Sequence, residues 1–543
     1  MATLSSLAFV AAGHVVQTTL GSIEGSSTTA YDNSTVNLYY GVPFAAPPIG
    51  RLRFRAPEAH QGWTAVRQAT ARGNCCVQFG EAASIMGAAA SKIVEAQIVG
   101  DEDCLVLDVY APAAPTSSPR PVMVWLYGGS FLEGCINLYD AKNLAAITGT
   151  VVVALNYRLS ALGYLGLPEL FSSGSANAGL LDMQMGLRWV RDNAPAFGGD
   201  PHRVLLFGQS AGGAATLFQL VMPSSSGLFH AAILQSPGGR KGWVQDLKGA
   251  DNDALTKQEM IDHAVSLAES HGCLQAAGQE RLGCMRNLSV QELMAEPFGR
   301  FAPGADGILV DQNPLALVRA GRWNKVPLIL GGTSCESCEG QGMLVKPGPP
   351  RTLSEADYRM ALNATFSPSR FDVPVSLTPA GVSGWYSSYA SQRGYWQALT
   401  RIASDNGHAC NVFFLTAAFT DTAGELAPVY RYEFRAAGGH PGQVYPGAVH
   451  ASELDYVFRT PSPYEHHTLS PEQDALAKVM QSFWGQLARS ARLNSALWPA
   501  CTPGVHPCDS VMIFDTPNAM VESERVVDDG SAARQCAHWA ELM

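Results

Sequence analysis

The chain has 543 residues, 47% of them apolar and 15% charged, which is enough for a large core and far from the composition of a disordered chain. A formal net charge of -11 makes a nucleic-acid backbone a poor partner, and no stretch approaches the roughly 18 consecutive apolar residues of a membrane-spanning helix. Length alone does not divide the chain, because large α/β enzymes often remain one unit.

Residues 7–13, LAFVAAG, form a short apolar segment with no basic residue before it, so residues 1–14 are read as an N-terminal extension or a weak signal sequence. Asn33, Asn287 and Asn363 each open an Asn-x-Ser/Thr triplet, the glycosylation acceptor of exported proteins. Twelve cysteines are too dilute for a disulfide-scaffold miniprotein and suit a large secreted chain with a few local staples. Short unbroken apolar runs at 122–128, 151–157, 203–208, 231–236 and 326–332 predict strands covered on both faces. Between them, residues 180–197 place Leu181, Met185, Leu187 and Val190 at helical spacing, and residues 210–222 predict a second helix beginning at Ser210. Alternating strand and helix imply a mostly parallel sheet with crossover helices.

Within that alternation, Gly208-Gln209-Ser210-Ala211-Gly212 is G-x-S-x-G, directly after a predicted strand and directly before a predicted helix. In that setting it reads as a nucleophile elbow rather than a plain glycine turn, with a bend that thrusts the serine hydroxyl out at the sheet's carboxyl edge. A serine attacking a carbonyl also needs donors for the oxyanion. YGGSF at 127–131 follows another predicted strand, so Gly129, Ser130 and Ala211 are the candidate oxyanion donors, with Gly128 letting the backbone turn. An acid and a histidine should follow the serine in chain order. Residues 328–340 offer Glu336 and Glu339, residues 445–458 offer His450, and local spacing does not choose among them. Cys335 and Cys338 form C-x-x-C without a thioredoxin-like context, so they read as a structural pair or inert thiols. His466 and His467 lack metal-ligand spacing, and no metal or organic cofactor is expected.

Several long motifs occur in one order: YGVPFAAPPIGRLRFRAP (40–57), DEDCLVLDVY (101–110), NYRLSALGYLG (156–166) and NAGLLDMQMGLRWVRDNAPAFGGDPHRVLLFGQSAGG (177–213). From about residue 15 to beyond 515 the chain resembles the type-B carboxylesterase/lipase family, the cholinesterase and fungal-lipase group. The resemblance implies an α/β-hydrolase fold with a large central mixed, mostly parallel sheet, in a single catalytic domain over residues 15–543. It implies a Ser-Glu-His triad that falls on Ser210, Glu336 and His450, with oxyanion donors at Gly129, Ser130 and Ala211. The family's acidic loop, G-x4-E-G, reads Gly331, four residues, Glu336 and then Ser337, so the nearby Glu339-Gly340 pair stays an alternative. Its H-x-x-E pattern falls on His450 and Glu453, the latter as a buried structural partner. Its staples fall on Cys76 with Cys104 and Cys273 with Cys284; Cys501 with Cys508 is a further local pairing suggested by proximity in sequence.

Two departures bear on substrate. Gln209 stands where the family often has glutamate, which removes a negative charge that would attract a cationic alcohol. Ser130 replaces a glycine or alanine and narrows the space beside the oxyanion loop. The segment from Cys76 to Cys104 holds no tryptophan or tyrosine, so it offers no platform for a quaternary ammonium, and its apolar residues suit a fatty acyl group or transient contact with a lipid surface. The expected function is a secreted serine carboxylic-ester hydrolase acting on neutral, apolar acyl esters, with a small-molecule or lipid ester as its partner. A triacylglycerol lipase or sterol esterase is the alternative within that chemistry, and a catalytically inactive adhesion-type relative the alternative outside it.

Overall fold

The computed structural model describes residues 14–79, 98–238, 254–275, 278–294, 301–338, 352–365, 378–436, 447–460, 469–505, 508–516, 519–522 and 536. Most of the 76–104 segment, Glu339 and His466 and His467 lie outside them.

Eleven strands among the described residues form one sheet: β1 (Ser26–Thr29), β2 (Thr35–Pro43), β3 (Val106–Pro112), β4 (Arg120–Leu126), β5 (Val151–Leu155), β6 (Gly199–Gln209), β7 (Ala231–Gln235), β8 (Leu328–Thr333), β9 (Val429–Phe434), β10 (Val511–Phe514) and β11 (Ala519–Glu522). Their spatial order is β11-β10-β9-β8-β7-β6-β4-β5-β3-β2-β1. The run from β5 through β4, β6, β7, β8 and β9 to β10 is parallel throughout, and the strands outside it pair antiparallel. This is an α/β-hydrolase fold with a mixed, mostly parallel sheet. Each of the five strands expected from apolar runs is present, with ends displaced by a few residues at most.

The parallel strands are apolar on both faces because helices cover both. Val151 to Leu155 and Ala231 to Gln235 are buried at every position. Helix α1 (Ala178–Asn193) buries Leu180, Met183, Leu187 and Val190. The expected helix is therefore present, with Leu187 and Val190 buried and Leu181 and Met185 only half-buried. The C-terminal part of the expected span is instead a 3₁₀ turn, Ala194–Phe197, where Pro195 cannot donate to a continuing helix. Helix α2 (Ala211–Val221) is buried along its whole length behind the bend. Farther along come α3 (Tyr395–Ser404), α4 (Cys410–Ala423), α5 (Leu454–Phe458) and α6 (Pro471–Ser490). A capping box between Ser470 and Gln473, with Pro471 at the first helical position, starts α6. It lies across β4 and β6, and Phe458 of α5 meets Trp125 of β4 edge-on at 4.9 Å.

All twelve cysteines are paired: Cys75–Cys135, Cys76–Cys104, Cys273–Cys284, Cys335–Cys338, Cys410–Cys536 and Cys501–Cys508. Asn33, Asn287 and Asn363 are exposed. Among the described residues no helix is long and apolar enough to cross a membrane.

One buried ion pair locks the loop after β5 to α1. Arg158 donates from Nε and Nη2 to Asp182 at 2.8 and 2.6 Å, and its backbone N–H donates to the same carboxylate at 3.1 Å. Both side chains are almost fully buried. Removing the carboxylate strands a desolvated guanidinium, so Asp182→Ala should cost about 3–5 kcal/mol, read as a fall in the denaturation midpoint. A change under about 1 kcal/mol would show that the pair is dispensable.

Candidate active site

Four neighbouring parallel strands deliver their following residues to one edge of the sheet. Gly129 and Ser130 come after β4, Ser210 after β6, Ser236 after β7 and Glu336 after β8. The carboxyl edge of a parallel sheet is where such folds bind their ligands.

At the end of β6 the chain reverses into α2 through Ser210, whose φ of 56° and ψ of -124° lie outside the comfortable regions for a residue with a side chain. Its surroundings hold it there. A Cβ on Gly208 would lie 2.3 Å from the Gly212 carbonyl oxygen, and one on Gly212 would lie 2.0 Å from that of Leu126. The Ser210 N–H donates to the Gln235 carbonyl at 2.9 Å, which ties the bend to β7. Ala211 is the first residue of α2, so its N–H is one of the donors a helix leaves unused at its start.

Opposite the bend, Gly128 makes the close approach: a Cβ there would sit 2.9 Å from Ser210 Cβ and 2.8 Å from the Gln209 carbonyl oxygen. The turning itself, expected of Gly128, belongs to Gly129, whose φ is 117° and whose Cβ would fall 2.2 Å from the Glu133 carbonyl oxygen. Ser130 and Phe131 follow at φ values of 56° and 60°, an unusual pair of left-handed residues with side chains. Backbone bonds from Leu132 and Glu133 to the Gly129 carbonyl close this loop at 2.9 and 3.0 Å. The Cys75–Cys135 bond anchors its far end.

Glu336 is buried, and its two oxygens have separate duties. Oε1 accepts from Ser236 Oγ and from the Thr333 N–H, each at 2.7 Å, while Oε2 meets His450 Nδ1 at 2.5 Å. Burial pushes the carboxyl upward, but the His450 ring beside it and these donors outweigh burial and hold it down at about 2. The loops carrying the two residues are stitched together, with Cys335 donating to the Ala448 carbonyl at 2.9 Å and Ser334 Oγ accepting from the Ala448 N–H at 3.0 Å.

Because Nδ1 of His450 faces an ionised carboxylate, it carries the ring proton, which leaves Nε2 as the acceptor. Among the described residues, the Gln209 side-chain amide meets Nε2 at 3.1 Å. Among the described residues Ser210 Oγ makes no hydrogen bond to His450. Glu453 is also fully buried; burial and the Glu336 charge raise its carboxyl to about 7, and its Oε1 accepts from Gln235 Nε2 at 3.3 Å.

Two contributors escaped the sequence. Ser236 carried no motif signal. His408 lies on a π-helical turn, Asp405–Ala409, and its ring packs against His450 with centroids 4.5 Å apart. Burial and the adjacent His450 hold His408 down at about 4, against the opposing pull of Glu336. One ligand atom each from Glu336, His408 and His450 lies within 4.8 Å of the other two.

A strand, a forced bend and a helix, with a buried carboxylate–imidazole pair at the same sheet edge, define a serine-hydrolase-type α/β-hydrolase. The profile described as "Carboxylesterase family" matches residues 12–527, so the chain belongs to that family, which implies hydrolase activity. It is similar to an acetylcholinesterase of Bungarus fasciatus, 29% identical over 511 residues that cover 90% of this chain and 81% of the relative. It is also similar to a human cocaine esterase, 31% identical over 472 residues that cover 85% of this chain and 80% of the relative.

Gln209→Glu would put a carboxylate beside His450 Nε2 in place of a neutral amide. The imidazolium form gains and the neutral form does not, so the His450 titration followed by NMR should move up by about one unit. An unchanged or lowered titration would contradict the 3.1 Å contact.

Proposed function

We propose that this protein is a secreted serine carboxylic-ester hydrolase acting on neutral esters with apolar acyl chains, with Ser210 as nucleophile, His450 as base and Glu336 as the acid that orients it. The observation that carries the reading is the 2.5 Å Glu336–His450 contact at the edge where Ser210 is held in its bend. The printed names of both relatives describe esterases, which supports the same bond type.

In this reading a substrate ester enters between the loop after β4 and the bend after β6. Gln209 yields His450 Nε2 to the Ser210 hydroxyl, and Nε2 takes its proton as Oγ attacks the ester carbon. Glu336 stays ionised and stabilises the imidazolium through Nδ1–H. The N–H groups of Gly129, Ser130 and Ala211 receive the oxyanion, each worth about 3 kcal/mol to the transition state. His450 returns the proton to the leaving alcohol, and water then repeats the sequence on the acyl-enzyme. The substrate class rests on Gln209, which adds no negative charge beside Ser210, and on the apolar composition of the 76–104 segment. Export is supported by six disulfides and by three exposed acceptor asparagines.

Ser210→Ala should lower ester turnover by at least roughly 1000-fold and abolish stoichiometric labelling by an organophosphonate. Equal turnover by the purified variant would remove the nucleophile assignment. Glu336→Gln should slow turnover strongly in a folded protein and Glu339→Gln should not; the reverse ranking would transfer the acid role.

Substrate class is read from kcat/KM across neutral esters from acetyl to palmitoyl, dissolved and emulsified, beside choline esters of matched chain length. Rising values toward longer acyl chains are expected, since each buried methylene contributes about 0.8 kcal/mol. A jump at the emulsion threshold would assign lipase or sterol-esterase behaviour, and preference for the choline series would defeat the apolar-ester reading.

A further inference from the structure

We propose that Glu336, His408 and His450 together form a binding site for a divalent transition-metal cation of the zinc class, and that occupancy of this site switches ester hydrolysis off. The inhibitory half rests on the reading of His450 as the base; the binding half does not.

Two imidazoles and one carboxylate are a donor set suited to a borderline cation such as zinc, with the fourth position left to water. The three donor atoms already lie within 4.8 Å of one another. Bonds of about 2.0–2.2 Å to a shared tetrahedral ion require donors on the order of 3.3 Å apart. Reaching that spacing opens the 2.5 Å Glu336–His450 contact and draws in the other donor separations, none of which exceeds 4.8 Å.

His408 is the member that no step of ester hydrolysis uses. Its Nδ1 is buried and has no hydrogen-bond partner among the described residues. Leaving such a group unpaired costs free energy that a ligand would recover. The ring is also backed on one side. Its opposite edge rests on Gly238, where a Cβ would lie 2.2 Å from Cδ2 and 2.3 Å from Nε2, so retreat on that side is blocked. The π-helical turn beneath it is anchored at its first residue, with Asp405 accepting from Tyr386 Oη at 2.8 Å and from Arg401 Nε at 2.7 Å. Just beyond the turn, the Asn411 amide donates to the Pro237 carbonyl at 2.8 Å, which holds α4 against the loop after β7. π-helical insertions of this kind recur at functional sites.

A bound cation would engage the carboxylate that orients His450 and a lone pair of the ring itself. His450 could then neither be held in register nor accept the Ser210 proton.

The test uses the full-length protein, with Co²⁺ as the spectroscopic probe and Zn²⁺ as the inhibitor. A visible absorption band should saturate at one equivalent of Co²⁺ and be displaced by Zn²⁺. Zn²⁺ should abolish ester turnover, and a chelator should restore it. His408→Phe keeps a ring against His450 but has no donor, and His408→Gln guards against a packing fault particular to phenylalanine. Both should lose the Co²⁺ band and weaken Zn²⁺ inhibition by at least roughly tenfold, as expected when a ligand rather than an outer partner is removed. Zn²⁺ inhibition equal in wild type and both variants, or no saturable Co²⁺ band, would overturn the site. Co²⁺ binding in a wild-type protein without ester turnover would uphold the site and overturn the hydrolase reading.

Discussion

The close passage of two backbones at the sheet's carboxyl edge is the constraint on which the rest of the site depends. Gly212 lies so near the end of β4 that any Cβ would come within 2.0 Å of the Leu126 carbonyl oxygen, and Gly208 lies equally hard against Gly212. Parallel pairing of β4 and β6, with Leu126 opposite Gly208, brings the two strand ends level. Helix α2 therefore begins directly beside the loop that follows β4. Ser210 is driven to positive φ because no other path joins a strand and a helix so close together, and the donors at Gly129, Ser130 and Ala211 share its edge for the same reason. A side chain at either glycine would displace the nucleophile candidate and the donors together.

The same physics explains what could be read before the structure. The elbow was legible because its requirement for small residues is local and is written into five consecutive positions, Gly208 to Gly212. The central strands were legible because burial on both faces leaves unbroken apolar runs. The outer strands were not. Arg431 and Glu433 interrupt β9, β10 has only four residues, and β2 carries a bulge and ends in proline. The buried face of α1 could not be read from spacing alone, because apolar residues on both sides of Asp182 leave the stripe ambiguous.

Residues that meet only through the fold were the least legible. Glu336 and His450 are 114 positions apart, and a family pattern rather than any local periodicity singled them out. His408 had no such pattern. It sits in a π-helical turn, whose extra residue breaks the 3.6-residue rhythm that would have assigned it to a face. Gln209 was seen as a missing charge, whereas its amide also occupies the acceptor nitrogen of His450. That contact required knowing which ring nitrogen Glu336 claims.

Electrostatics around His450 then follow from three side chains with different fates. Glu336 has four sources of relief from burial, in the two histidine rings, the Ser236 hydroxyl and the Thr333 N–H, and stays ionised. Glu453 is as deeply buried, and relief from the His450 ring, its own backbone N–H and a 3.3 Å contact from the Gln235 amide does not outweigh burial and the repulsion of the Glu336 charge, so its carboxyl is raised to about 7. Two carboxyls near one imidazole are thus pushed in opposite directions, the pattern by which a site separates a permanent negative charge from a neutral acid. Gln209 completes this arrangement because it meets His450 without adding a charge. A glutamate there would favour the imidazolium over the neutral ring. With the neutral amide, the Glu336 charge faces the ring on its Nδ1 side and an uncharged group meets Nε2.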